Sequence, residues 1–102
     1  MSEKYLSAQV QRVLKTIELM AGHEIDGVEP GKLAQALNTS GADITRILTN
    51  LEHGGFAERL PGNAKRWRLH KSLVQISNTV ENNFRTALRQ LQTEANNYNV
   101  LR

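Results

Sequence analysis

Between Leu33 and Leu69 the spacing of apolar residues changes period twice, and turn-forming residues mark each change. Leu33, Ala34 and Leu37 keep helical spacing. Asn38, Thr39 and Ser40 break it, and Ile44, Leu48 and Leu51 resume it with Ile47 at the edge of the stripe. Gly54-Gly55 then stops the second run. From residue 56 to 60 the period shortens toward two, Pro61-Gly62-Asn63 supplies turn chemistry, and residues 65–69 alternate around Trp67 and Leu69. Two short helices with a tight turn between them, over residues 30–37 and 41–53, are therefore expected to lead into a two-stranded hairpin. Pro30 suits the first helical position, Asn38 can take the left-handed conformation that closes a helix, and Ser40 with Asp43 three residues on has the form of a capping box.

The flanks are helical in pattern. Leu6, Val10, Val13, Leu14, Ile17, Met20 and Ala21 predict a first helix over residues 7–21, with Ser7 as N-cap and Gly22 as its stop. After the polar stretch 23–27, Val28 suits a single-residue contact to a short strand. Ser72 is placed to cap a last helix whose apolar positions are Leu73, Ile76, Val80, Phe84, Ala87, Leu88, Leu91 and Ala95. About 26 residues at 1.5 Å each make that helix about 39 Å long. The fold class is α+β and mainly helical.

A length of 102 residues leads to the expectation of one domain with one core and without a separate ligand-sensing domain. It has no cysteine, which excludes disulfides and thiolate chemistry. No apolar run reaches the roughly 18 residues of a membrane span, and the start, MSEKYLSAQVQRV, lacks the apolar stretch of a secretory signal, so the expected compartment is the cytoplasm. The net charge of +3 is unevenly spread. Residues 22–56 are acidic on balance, with Lys32 and Arg46 against Glu24, Asp26, Glu29, Asp43 and Glu52. Residues 57–71 are basic, with Arg59, Lys65, Arg66, Arg68 and Lys71 against Glu58 alone, a pattern that suits nucleic acid.

Helix, turn, helix and hairpin is the order of a winged helix-turn-helix. The run LAQALNTSGADITRILTNLEHGGFAERLPGNAKRWRL, residues 33–69, resembles the N-terminal DNA-binding domain of IclR-family bacterial regulators, and more loosely MarR-like ones. Two departures stand out. Asn38 occupies a position where the family generally has glycine, and Thr39-Ser40 one where it has an apolar residue and proline. The family's effector-binding domain is absent from this sequence, which carries a single helix after residue 71.

The resemblance implies that the second helix of the pair enters the major groove and the hairpin lies along flanking phosphates. On that map Arg46, Thr45, Ala42, Asp43 and Thr49 are the candidate base-reading residues, Arg46 being suited to a bidentate contact with guanine. Ser40, Gly41, Asn50, Arg59, Lys65, Arg66 and Arg68 are candidates for the DNA backbone. Asp43 is the awkward member, since a carboxylate either caps its own helix, accepts from a cytosine amine, or repels phosphate. Trp67 is expected in the core, with its arginine neighbours alternating away from it.

No catalytic motif is present, and His23, His53 and His70 have neither the spacing nor the carboxylate neighbours of a metal site, so no enzyme activity, cofactor or metal is expected. The last helix has an apolar stripe longer than a small domain can cover, and Leu73, Val80, Phe84, Leu88 and Leu91 are the candidate dimerisation seam. The expected organisation is a DNA-binding unit over residues 1–71 and a dimerisation helix over 72–102. The expected function is sequence-specific binding of double-stranded DNA by a homodimeric, repressor-like transcription regulator without an evident small-molecule effector. The alternatives are a winged-helix protein-docking module, which the acidic 22–56 segment would suit, and an architectural DNA-binding accessory protein of a phage or mobile element.

Overall fold

The computed structural model describes residues 3–100, so the first two and last two residues of the expected ranges lie outside the described residues. A single 3-10 turn, Glu3–Tyr5, precedes α1 (Ala8–Met20), α2 (Pro30–Leu37), α3 (Gly41–His53), β1 (Ala57–Leu60), β2 (Asn63–Leu69) and α4 (Lys71–Asn99). These elements form an α+β winged helix with a long C-terminal helix. The chain divides into two compact units at Lys71/Ser72, the first holding α1 to β2 and the second α4.

Local chemistry sets most of the boundaries. The Ser7 hydroxyl accepts from the Val10 N–H at 3.1 Å and starts α1. Pro30 opens α2, where its missing N–H costs nothing. Asn38, at φ 52°, closes α2: Thr39 N–H donates to the Ala34 carbonyl at 3.0 Å and Asn38 N–H to that of Gln35 at 3.2 Å, which returns the chain sharply into α3. Ser40 then caps α3 by accepting from Asp43 N–H at 3.0 Å. The α3 exit is closed by Phe56 N–H donating to the Leu51 carbonyl at 2.8 Å.

β1 and β2 pair antiparallel through Ala57↔Leu69, Glu58↔Arg68 and Arg59↔Trp67, then jump to Leu60↔Asn63. The jump leaves residues 64–66 without a partner on β1, and the turn is Pro61-Gly62, with Gly62 at φ 84° where a type II turn needs positive φ. On its other edge β2 takes Val28, which exchanges both backbone hydrogen bonds with Trp67 at 2.7 and 3.0 Å. Gly27 makes that approach possible: it sits at φ 72°, and a Cβ there would lie 3.0 Å from Arg66 Cβ and 3.2 Å from the Trp67 carbonyl oxygen.

The core is Met20, Leu33, Ala34, Ile44, Ile47, Leu48, Leu51, Ala57 and Trp67, with Val13, Ile17, Val28, Leu37, Phe56 and Leu69 against it. Three expectations are corrected. Ile47 is fully buried instead of marginal, because α3 packs on both α2 and the hairpin. The buried face of α1 is rotated: Thr16 is enclosed, its hydroxyl donating to the Arg12 carbonyl at 2.7 Å, while Val10 and Leu14, like Leu6 ahead of the helix, remain about half exposed. Finally, α4 begins at Lys71, so Ser72 lies within its first turn and not before it. Taken by itself, α4 is a 29-residue helix, about 44 Å long, that buries none of its side chains.

Candidate nucleic-acid interface

The outer face of α3 carries Gly41, Ala42, Thr45, Arg46, Thr49 and Asn50, all exposed. Thr45 and Thr49 donate their hydroxyls to the carbonyls four residues back, Gly41 at 2.9 Å and Thr45 at 2.7 Å, and Asn50 does likewise to Arg46 at 2.8 Å. Each hydroxyl oxygen stays open as an acceptor and each threonine methyl stays outside. Arg46 extends outward, with only a loose 3.8 Å approach to the Asp43 carboxylate. The first N–H groups of α3, at Gly41 and Ala42, have no acceptor within the helix, and they lie at its electropositive end.

Asp43 does not share that face. It is buried at 7% exposure and its carboxylate points to α1. Thr39 Oγ1 and Gln9 Nε2 each donate to it at 2.8 Å, and Arg12 Nε stands 3.2 Å away while also donating to Gln9 Oε1 at 2.9 Å. The expectation that Asp43 lies on the outer surface is therefore corrected, because the carboxylate finds a set of donors that pins the start of α3 to α1. Only half of the expected capping box forms: Ser40 caps the helix, and Asp43 turns to Thr39 in place of the Ser40 backbone. Gln9, Arg12 and Thr39 were not singled out from sequence, although residues 9, 12 and 16 share one helical face.

The Thr39 hydroxyl first, then the Gln9 amide, hold the Asp43 carboxyl below the ordinary aspartate value of 3.8, with Arg12 and Arg46 adding to this against the opposing effect of burial. A carboxyl whose folded value is depressed contributes stability that is complete above the unfolded value and fades as pH falls through the folded one. The melting temperature of the protein should thus drop as pH falls below about 4, and Asp43→Asn should flatten that part of the profile. Thermal melts followed by circular dichroism between about pH 2 and 6 check this; an unchanged acid limb in the variant would contradict it.

The hairpin's cations divide into two kinds. Arg66 spans back to the loop before α2, donating to Glu29 at 2.9 Å and to the Asp26 and Gly27 carbonyls at 2.6 and 3.1 Å. Arg68 donates to Glu58 at 2.7 Å and to the Glu24 carbonyl at 3.3 Å. Arg59 lies over the Trp67 ring at 4.7 Å and donates to the Ala64 carbonyl at 3.0 Å, without an ion-pair partner among the described residues. Lys65 is exposed, and its ammonium makes no ion pair among the described residues. Sequence position alone could not separate these roles, because the carboxylates that engage Arg66 and Arg68 arrive from 10 to 37 residues away.

Between α3 and the hairpin runs a groove of about 350 Å³ bordered by Thr45 and Thr49 on one side and by Arg59, Ala64 and Lys65 on the other, with Trp67 and Leu48 beneath. It brings together four of the candidate residues from two distant segments. On α4, Val80, Phe84, Leu88 and Leu91 are exposed and Leu73 is half-buried. Among the described residues there is no cluster of ligating side chains suited to a metal ion, and no helix is long and apolar enough to cross a membrane.

These features define a winged helix-turn-helix domain with an open α3 face beside a basic hairpin. Among solved structures, the chain is similar to an IclR transcriptional regulator from Alicyclobacillus acidocaldarius, with a TM-score of 0.61 and 21% sequence identity over 71% of this chain. The likeness is one of fold, and the chain spans 28% of that regulator's length. Neither a family model nor a curated protein matches the sequence.

Proposed function

We propose that the protein is a transcription regulator of the repressor type that binds double-stranded DNA sequence-specifically as a homodimer. The observation that carries this reading is the groove that unites the outer face of α3 with the unpaired cations of the hairpin. A duplex set along it would meet Arg59 and Lys65 on one side and Thr45 and Thr49 of α3 on the other, with the first two turns of α3 in the major groove. Arg46 then reads a base, Ala42, Thr45 and Thr49 offer methyl and hydroxyl contacts, and Ser40, Gly41 and Asn50 meet phosphates. Asp43, Arg66 and Arg68 act from behind, the first by orienting α3 and the others by bracing the wing. The likeness in fold to a transcriptional regulator supports this reading. The protein-docking alternative loses one of its supports, since Asp43 faces inward and adds no negative charge to the α3 face.

Arg46 and Lys65 should therefore fail differently. Arg46→Ala is expected to cost about 1–3 kcal/mol on the preferred site and to relax the preference at one position per half-site. Lys65→Ala should weaken binding to every duplex alike and reduce the slope of log K against log salt by about 1 per protomer. Fluorescence anisotropy on preferred and scrambled duplexes over a salt series separates them. Equal losses for Arg46→Ala on both duplexes would make it a phosphate contact.

A further inference from the structure

The loop between α1 and α2 leaves a cavity of about 330 Å³ that shares no lining residue with the α3 groove. Its walls are apolar, formed by Leu19 of α1, Val28 of the loop, and Leu33 and Ala36 of α2. The charged residues lining it are Lys32, Arg66 and a single carboxylate, Glu29, with the His23 imidazole beside them. Glu29 is already engaged by Arg66 at 2.9 Å, so Lys32 is left uncompensated. The Lys32 ammonium and the His23 imidazole make no hydrogen bond or ion pair among the described residues. The Arg66 guanidinium uses one N–H on each of its three nitrogens, toward Asp26, Glu29 and Gly27. Of its five N–H groups, two are left to donate.

An apolar chamber in the size range of small-molecule sites, with spare cationic donors at one edge, fits a ligand with a compact apolar body and one negative group. The geometry points to this cavity as a binding site for a small organic carboxylate, whose body packs on Leu33 and Ala36 and whose carboxylate meets Lys32 and the free N–H groups of Arg66. Charge complementarity selects the occupant: a cation would face Lys32 without a counter-charge, and a neutral isostere would leave its ammonium unused. Arg66 belongs to β2, so a carboxylate bound there engages the same side chain that ties the hairpin to Glu29. The domain would then carry its own effector site, which the sequence reading did not anticipate.

The test uses the full chain in the absence of DNA, so that its outcome is independent of any DNA-binding role. Benzoate is titrated into isotope-labelled protein while amide resonances are followed, with benzamide as the neutral isostere. Benzoate is expected to shift the amides of Gly27, Val28, Lys32 and Ala36 saturably, in the millimolar range usual for so small a ligand. Benzamide should leave them nearly unmoved, and Lys32→Gln, an exposed position that preserves the fold, should weaken benzoate about three- to fivefold. An equal response to both compounds, no saturable shift, or an unchanged affinity in Lys32→Gln would each overturn the assignment.

Discussion

In the proposed homodimer, replacing Leu88 by glutamate is expected to yield a folded monomer that no longer shows the proposed specific DNA binding. α4 presents Val80, Phe84, Leu88 and Leu91 at helical spacing, each more than half exposed in the single chain. A surface helix ordinarily turns an apolar stripe of this length toward a partner, and a second copy of the same helix offers a matching surface across a two-fold axis. Glutamate in the middle of that seam would bring two carboxylates into an apolar contact, at a cost of several kcal/mol that the dimer escapes by separating. The winged domain has its own core and should keep its circular dichroism and melting transition. Two α3 helices held about one DNA turn apart, roughly 34–36 Å, engage a symmetric site jointly. Losing that link should lower specific affinity by about 10²–10⁴ while non-specific binding falls far less. Sedimentation of wild type and variant decides the matter: a wild type already monomeric at high micromolar concentration would remove α4 from the role of seam.

Trp67→Ala should take most of the winged domain's stability. Trp67 is 5% exposed, both its backbone hydrogen bonds go to Val28, and Arg59, opposite it on β1, stacks on its ring. Truncation removes the largest side chain of the core cluster and leaves a cavity, a change that costs about 3–5 kcal/mol. A domain of this size has a total stability of about 4–10 kcal/mol. Urea unfolding monitored by far-UV circular dichroism should show the midpoint falling by half or more, with Trp67→Phe intermediate. A loss under about 1 kcal/mol would mean that the indole is dispensable to the core.

Much of this architecture is written in local signals. Asn38, Ser40, Pro30 and Gly62 act on backbone groups within a few residues of themselves, so their roles in closing, capping and turning the chain could be read directly. Val28 was legible as a strand contact for a related reason, because it is a β-branched apolar residue set between Gly27 and the proline that opens α2. The rest depends on partners distant in sequence. On α1, Gln9 and Arg12 meet Asp43, which lies 34 residues from Gln9, while Val10 and Leu14 stay about half exposed, and nothing near α1 in sequence announces that partner. Ile47 looked marginal on an isolated α3, but it becomes core once α2 and the hairpin close on both sides. The same limit applies to the wing, where four basic residues look equivalent in sequence yet Glu29 and Glu58 engage two of them.

Selection of bound sequences from a pool of random duplexes, carried out at a low and a near-physiological salt concentration, addresses the central claim directly. The account predicts enrichment of a two-fold symmetric motif that survives the higher salt, where non-specific phosphate attraction has weakened. Salt-sensitive retention of duplexes without any enriched motif, or no retention at either concentration, would contradict it.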